Sequence, residues 1–259
     1  MSECQVEFSQ PLTKGTITHL VIEYLKFVLY SRGQLPDPFD TLIQSIKGNT
    51  PFENLNVENH VIFCDDPNVR CDRSGLLKKT NPSQDRRRQS YEDTIKKFDN
   101  FFMELCNILE TKDVLEVVMN LGPNTKSPKE LHRITLPTNC DHTECSQIST
   151  SLEKHRLFMF KEILKNGILN GSRLDNILPI TIFLYLKTGV SFTEHMQLER
   201  QYSVPKKSLT LHLNCECQIS TSHIGDNSHP EIAGETNIQN GLWVKIKPAL
   251  KGFKALSEK

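Results

Sequence analysis

The feature of the sequence that most constrains its fold is a long amphipathic segment that leads directly into an apolar, β-branched segment. From Tyr91 to Glu110, apolar residues recur at steps of three and four, which places them on one stripe of a helix. A short polar segment, 111–113, follows, and residues 114–122 then read VLEVVMNLG, a composition typical of a strand. Because such a helix needs an apolar surface to cover, we expect an α+β fold with helices on one face of a largely antiparallel sheet.

The rest of the chain supplies further helices and strands. Apolar periodicity predicts helices at residues 16–31, 39–46 and 151–165. Strands are predicted at residues 6–8, 132–136, 178–186, 208–218 and 242–247. The helix at 151–165 is apolar around more than one face, so it is either deeply buried or keeps one face for a partner.

Residues 47–90 are predicted to form a mobile insertion, since the periodic pattern gives way to Asn, Asp, Pro, Ser and charged residues. Residues 61–63 are its one strand candidate. Lys78 and Lys79 together with residues 86–88 form a basic cluster in this insertion. A nuclear import sequence and a phosphate-binding patch are both compatible with such a cluster, but a solvated loop is the favoured interpretation.

Composition argues against several classes of function. The 31 basic residues are balanced by 31 acidic residues, whereas general nucleic-acid binding requires an excess of positive charge to neutralise phosphates. The longest apolar run, Ile177 to Leu186, is too short to cross a bilayer, and the first residues lack the basic and then apolar pattern of a secretory leader. We therefore expect a soluble intracellular protein with no nucleic-acid and no membrane partner.

The eight cysteines raise the question of a metal site. Residues 140–145 read CDHTEC, and with Cys215 and Cys217 they form the one grouping that resembles a zinc site. Structural zinc sites usually contain paired Cys-x-x-Cys sequences, and neither spacing here conforms. Reduced thiols are favoured and no metal or cofactor is expected, although a zinc-stabilised scaffold built on Cys140, His142, Cys145 and Cys215 stays open as an alternative.

Catalytic motifs are absent from the sequence. No Gly-x-Ser-x-Gly nucleophile elbow, no Walker-type phosphate loop and no Gly-x-Gly-x-x-Gly turn occurs. His155 and His195 lie near carboxylates in the sequence, but isolated histidines in helices and loops are usually solvated. We expect a protein that is not an enzyme.

Several collinear segments resemble the comet family of HORMA-domain proteins, which silence the mitotic spindle assembly checkpoint. The segments are YSRGQLP at residues 30–36, LGPN at 121–124, SPKE at 127–130, YSVP at 202–205 and KGFK at 251–254. Their order and spacing match over about residues 12 to 256, nearly the whole chain.

The resemblance implies a fold and a domain organisation. Residues 1–259 would form a single HORMA-like domain in which three long helices pack on one face of a mainly antiparallel sheet. Residues 187–259 would form the C-terminal safety-belt region, which in this family wraps a peptide. Residues 242–253 would fill that peptide place themselves, by β-strand addition.

The resemblance also implies a function. The protein would be an adaptor that binds the closed form of Mad-two and presents it to a Pch-two-type AAA+ ATPase, so that mitotic checkpoint complexes are disassembled. It would act in the nucleus and cytoplasm, and at the spindle or kinetochore in mitosis. The alternative is a HORMA-type peptide-binding adaptor for a different partner, in meiosis, DNA repair or autophagy.

The same resemblance assigns two sets of contact residues. The surface for Mad-two would be formed by Tyr30, Ser31, Arg32, Arg156, Leu157, Phe158 and Glu162. Phe158 is the expected anchor, since a buried interface aromatic contributes about 2 kcal/mol or more, and plain core packing is its alternative role. Leu198 and Glu199 lie where the family contacts the ATPase, although the Pro-Lys pair of the family is missing there, and Ser31 stands where relatives carry glutamine.

Overall fold

The computed structural model describes residues 2–47, 82–137, 148–215 and 241–255. Within these ranges the chain has an α+β fold with four helices and one mixed sheet of eight strands, which confirms the predicted class. The helices are α1 Lys14–Ser31, α2 Phe39–Lys47, α3 Pro82–Thr111 and α4 Ile148–Lys165. The strands are β1 Ser2–Phe8, β2 Val114–Leu121, β3 Glu130–Thr135, β4 Pro179–Lys187, β5 Met196–Leu198, β6 Leu209–Cys215, β7 Gly241–Ile246 and β8 Leu250–Lys251.

The sheet combines antiparallel and parallel pairing. Its strands are ordered β1-β6-β3-β2-β4-β7-β5, and β8 pairs with β4. From β3 to β5 the neighbours are antiparallel, as predicted. At the other end β6 runs parallel to both β1 and β3, which the sequence analysis did not predict. Alternation within a strand reports which face is buried but not the direction of the neighbouring strands.

The main hydrophobic core lies between the helices and one face of the sheet. Buried residues of all four helices share this core with Val117, Met119 and Leu121 of β2. Successive side chains of a strand point to opposite faces, so Val118 lies on the other side. There it packs in a small cluster that the segment containing Tyr202 covers.

Helix α3 begins earlier than the apolar periodicity indicated, at Pro82 instead of Tyr91. Proline is favoured in the first turn of a helix because its missing N–H has no intrahelical acceptor there. Residues 86–90 are exposed, and Arg88 pairs with Glu92 one turn later at 2.9 Å. A polar, exposed helix start has no apolar stripe to detect. The rest of the predicted insertion, residues 48–81, lies outside the described residues.

The two ends of α1 are fixed by local hydrogen bonds. The Oγ1 of Thr13 accepts from the backbone N–H of Thr16 at 3.2 Å and caps the first turn. At the other end Gly33 adopts φ +69°, the left-handed conformation in which glycine commonly ends a helix. This sharp end turns Arg32 and Gln34 towards the interior, where both are buried.

The C-terminal part of the described chain is held on β4 and against the end of α1. Strand β7 lies between β4 and β5. Beyond it, the N–H of Gly252 donates to Leu178 O at 3.2 Å, and the N–H of Phe253 donates to Gln34 O at 2.9 Å. The Phe253 ring packs against Phe98 of α3, with the ring centroids 5.7 Å apart. The segment therefore joins the sheet and the helical layer.

A membrane-spanning helix would need to be long and predominantly apolar. None of the helices in the described ranges meets both conditions.

Candidate functional site

The outward side of α4 carries large apolar side chains that the fold leaves uncovered. Leu157 is 60 % exposed and Leu164 is 61 % exposed. They lie two helical turns apart and therefore on the same face. Met159 and Ile163 of the same helix are fully buried in the core. From the sequence, this helix was expected either to be deeply buried or to keep one face for a partner. Its exposed leucines match the second alternative.

One flank of α4 packs against α1. The rings of Phe160 and Phe27 lie 5.0 Å apart, centroid to centroid. Arg156 Nη1 lies 3.4 Å from Glu23 Oε2 across the two helices, while its Nη2 lies 2.8 Å from Glu153 Oε1. The two helices therefore present one continuous surface.

We call this the α1–α4 surface. It is formed by Phe27, Tyr30, Leu157, Phe160 and Leu164, with the Arg156 ion pairs joining the helices.

The opposite flank of α4 packs against β1. The Phe158 ring meets the Phe8 ring edge-on, with the centroids 5.6 Å apart, and Phe158 is still 40 % exposed. The Glu162 carbonyl accepts from the Cys4 thiol, with Sγ 3.9 Å from the oxygen. Phe158 and the Glu162 backbone thus lie on the β1 flank of α4, whereas Arg156 and Phe160 contact α1. Phe158 therefore packs against Phe8 on one side and reaches solvent on the other, so it has features of both of its predicted roles, core packing and interface anchor.

The three residues predicted at the end of α1 differ in exposure. Tyr30 is half-buried, with the Arg173 guanidinium 5.7 Å from its ring centroid. Ser31 is also half-buried, and its hydroxyl donates to Val28 O at 3.0 Å. Arg32 is only 2 % exposed, because its side chain runs into the interior.

Arg32 ends in a buried polar network that links α1 to β3. Its Nε lies 2.7 and 2.9 Å from the two carboxylate oxygens of Glu130. Glu130 Oε1 lies 2.8 Å from His132 Nε2, and His132 Nδ1 lies 3.0 Å from the Tyr24 hydroxyl oxygen. His132 is fully buried. The network fixes the end of α1 against the start of β3.

The protonation states in this network follow from burial and hydrogen bonding. Full burial disfavours the imidazolium and lowers the pKa of His132, so the ring is neutral at pH 7. The geometry then requires Nε2–H to donate to Glu130 and Nδ1 to accept from the Tyr24 hydroxyl. Burial opposes ionisation of Glu130, but hydrogen bonds from His132 and Arg32 outweigh it and hold the pKa of Glu130 below its usual value. The carboxylate is therefore charged and pairs with Arg32.

The residues predicted to contact an ATPase lie at the other end of the sheet. Leu198 is the last residue of β5 and pairs with Val244 of β7. The N–H of Glu199 donates to Trp243 O at 2.9 Å. Both are half-buried. Since β1 and β5 are the two ends of the strand order, the α4 flank and these residues lie at opposite sheet edges.

The described residues do not bring together the side chains of a zinc site or of a histidine-based catalytic site. Residues 140–145 and Cys217 lie outside the described residues, and the residues that the structure does describe contain no cluster of three or more metal-ligating side chains. His155 packs edge-on against Phe8, with the ring centroids 5.5 Å apart. His195 Nε2 lies 3.4 Å from the exposed carboxylate of Glu194.

The apolar period of α1 predicts a buried Tyr24, but the sequence analysis missed its hydrogen bond to His132 and the burial of Gln34 and His132. Gln34 is fully buried: its Nε2 donates to Asn176 O at 3.1 Å, and its Oε1 accepts from Leu178 N–H at 2.7 Å. Gln34 and Glu130 lie in the segments that carry the family resemblance, at residues 30–36 and 127–130, but no role was assigned to either. Arg32, in the first of these segments, was assigned to the partner surface instead of to the interior.

Comparison with known proteins adds no family assignment. The chain matches no protein-family model, and no curated protein matches it significantly.

Proposed function

We propose that this protein is a HORMA-type adaptor that binds the closed form of Mad-two through the α1–α4 surface and its Phe158 flank. It presents that partner to a Pch-two-type AAA+ ATPase, which disassembles mitotic checkpoint complexes. The observation that carries the proposal is the pair of exposed leucines on α4, Leu157 and Leu164, at 60 and 61 % exposure. Two large apolar side chains on one helix face are typical of a protein interface.

The arrangement of the C-terminal strands supports the HORMA part of the proposal. A self-filled safety belt requires a C-terminal segment paired with a central strand and enclosed on its other side. Strand β7 meets both conditions, since it pairs with β4 on one edge and with β5 on the other. The lengths of α1, α3 and α4 and their shared core with one sheet face agree with the three helices of that fold.

The contact set divides into two kinds of residue. Leu157 and Phe158 reach solvent and would be buried by the partner, whereas Arg32 is covered already. We therefore assign Arg32 the role of holding the end of α1, so that Tyr30 and Ser31 keep their position at the rim. Arg156 is half-exposed and bonded to Glu23 and Glu153, so it orders the rim.

The separation of the two contact regions supports an adaptor role. A protein that passes one partner to another has to hold both at once. The α4 flank lies by β1, whereas Leu198 and Glu199 lie at the β5 edge. Partners bound at these places would not compete for the same surface.

The second candidate is a HORMA-type adaptor for another partner, in meiosis, DNA repair or autophagy. Such a protein keeps its belt open for a foreign peptide. Here β7 occupies the edge of β4 that a foreign strand would need, so this candidate requires β7 to leave the sheet. The pairing therefore favours the first candidate.

The experiment is a calorimetric titration of the protein with closed-locked and open-locked Mad-two. We expect selective binding to the closed form, weakened about tenfold or more by Leu157→Ala and by Phe158→Ala, as loss of an interface anchor predicts. Met103→Ala is the matched control, because Met103 is a 59 % exposed apolar residue on α3 and is not one of the residues that form the α1–α4 surface. If the folded protein binds neither form, or if Met103→Ala weakens binding as much, the adaptor proposal is wrong.

A further inference from the structure

A cavity of about 580 Å³ opens where three parallel strands begin. Ser2 starts β1, Leu209 starts β6 and Glu130 starts β3, and all three line the cavity. The segment that follows α4, residues 167–171, contributes the facing wall. Of the predicted contact residues only the buried Arg32 lines this cavity, which contains space for more than a water molecule.

Arg32 forms part of the cavity wall and has one unused nitrogen. Its side chain is 3 % exposed. Nε donates to Glu130, and Nη1 donates to Leu169 O at 3.1 Å and to Gly171 O at 2.9 Å. Nη2 makes no hydrogen bond to any residue that the structure describes. Because Arg32 lines the cavity, this guanidinium nitrogen is available to a hydrogen-bond acceptor that enters it.

The residue at position 171 keeps this nitrogen uncovered. A Cβ on Gly171 would lie 3.0 Å from Arg32 Nη2 and 3.1 Å from Cζ. Because Gly171 has no side chain, its backbone lies close to the guanidinium, and its carbonyl oxygen accepts a hydrogen bond from Nη1. Any other residue would press against the end of Arg32.

The charge of the cavity wall is positive. Glu130 is matched by Arg32, with which it forms the ion pair at 2.7 Å. Lys129 and Lys207 also line the cavity and are exposed, so they contribute two further cations. An anion in the cavity would meet both lysines and Nη2 of Arg32.

The wall also has an apolar part. Leu131, Ile168 and Leu209 line the cavity between the charged groups. A ligand that fills the space therefore combines an anionic head with a short apolar body. A dianion suits two lysines and one guanidinium nitrogen better than a monoanion does.

We propose that this cavity binds a phosphate monoester, with the phosphate oxygens on Lys129, Lys207 and Nη2 of Arg32, and the ester's apolar body on Leu209. A phosphorylated peptide side chain and a small phosphorylated metabolite share this chemistry. The proposal does not depend on the adaptor function, because none of its three cations belongs to the exposed α1–α4 surface.

The test is a calorimetric titration of the full chain with three probes: inorganic phosphate, free phosphoserine, and a short peptide in which phosphoserine is flanked by leucines. The same peptide without the phosphate is titrated as a control. We expect saturable binding with one site, weakened about tenfold by Lys129→Gln and by Lys207→Gln, as loss of one charge-assisted hydrogen bond predicts. The matched control is Lys206→Gln, an exposed lysine next to Lys207 that does not line the cavity. If the peptide binds more tightly than phosphoserine, the ligand is a phosphorylated side chain of a protein. If phosphoserine binds more tightly, the ligand is a small phosphorylated metabolite.

The role of Arg32 is tested separately. Gly171→Ala crowds Nη2 without removing any charge, so binding of phosphoserine should weaken while circular dichroism shows the protein folded. The proposal is overturned if none of the three probes binds saturably, or if the unphosphorylated peptide binds equally well. It is also overturned if Lys206→Gln weakens binding as much as Lys207→Gln, since only general surface charge would then be involved.

Discussion

Arg32 and Glu130 form an ion pair in which one nitrogen, Nε, lies 2.7 and 2.9 Å from the two carboxylate oxygens. Their side chains are 3 and 14 % exposed, and they join the end of α1 to the start of β3. Desolvation of two charges offsets much of their attraction, so the pair contributes more to the arrangement of the chain than to net stability.

The first prediction concerns the removal of one partner of this pair. Glu130→Ala leaves Arg32 buried without its counter-charge, and we expect the free energy of unfolding to fall by about 3–5 kcal/mol. The double variant Arg32→Met, Glu130→Ala should lose less than the sum of Arg32→Met and Glu130→Ala measured singly, because it leaves no unpaired charge. Urea unfolding followed by circular dichroism measures all three. Additive losses would show that the pair is not coupled.

The second prediction concerns pH. The pKa of His132 is lowered by burial, so the unfolded chain binds a proton at a higher pH than the folded chain does. This contribution to stability is complete above the unfolded pKa of about 6.5 and is lost as pH falls from there towards the folded pKa. The pKa of Glu130 is also lowered, so its contribution is complete above the unfolded value of about 4.3 and is lost as pH falls further, through the folded pKa.

The measurement is the free energy of unfolding between pH 7 and pH 5. His132→Gln keeps a donor and an acceptor but does not titrate. As pH falls, the free energy of unfolding of this variant should therefore fall less steeply than that of the unchanged protein, and the two slopes should differ by up to about 1.4 kcal/mol per pH unit. Equal slopes for the two proteins would contradict a neutral, buried His132.

The third prediction concerns the attachment of the C-terminal segment. A Cβ on Gly252 would lie 2.7 Å from the backbone oxygen of Gln34 and 2.8 Å from its Oε1. Gly252→Ala should therefore push the segment away, destabilise the protein by about 1–3 kcal/mol, and accelerate amide hydrogen exchange in β7 and at Phe253. Gly15→Ala is the control, since nothing lies within 4 Å of its Cβ position, and it should be neutral or stabilising. Unchanged exchange in Gly252→Ala would show that the contact with Gln34 does not hold the segment.

The fourth prediction separates the two sides of α4. Leu157→Ser removes an exposed side chain and should change the free energy of unfolding by no more than about 0.5 kcal/mol. Met159→Ala, two residues further on, leaves a cavity in the core and should cost about 2–5 kcal/mol. Thermal and urea unfolding of both variants give the comparison. Similar losses would show that Leu157 is covered in the folded protein.

The fold class, most helices and most strands were predictable because their residues carry the apolar period of the element they form. Residues 16–31 and 151–165 correspond to α1 and α4 within a few residues. The short strands β5 and β8 were not predicted, since three and two residues show no alternation. Nor was the start of α3, because its exposed polar residues show no apolar period.

The candidate site was predicted in part. Leu157 and Phe158 are exposed as an interface requires, and their helix was singled out for its surplus of apolar residues. The burial of Arg32 was not predicted, because an arginine after a helix usually lies at the surface. Its partner Glu130 follows α1 only after a long interval in the sequence, and no local pattern reports a contact between segments that are so far apart.

The parallel pairing of β1 with β6 has a consequence for the order in which the protein is made. Ser2 is paired with Leu209, so a ribosome that adds 5–20 residues per second needs roughly 10 to 40 seconds between the two strands. During this interval β1 has no strand to bind, and the edge of β3 that β6 later covers is open as well. Two unpaired strand edges on a nascent chain are the sites at which chaperones bind or neighbouring chains aggregate. Strand β1 is thus synthesised long before the strand with which it pairs.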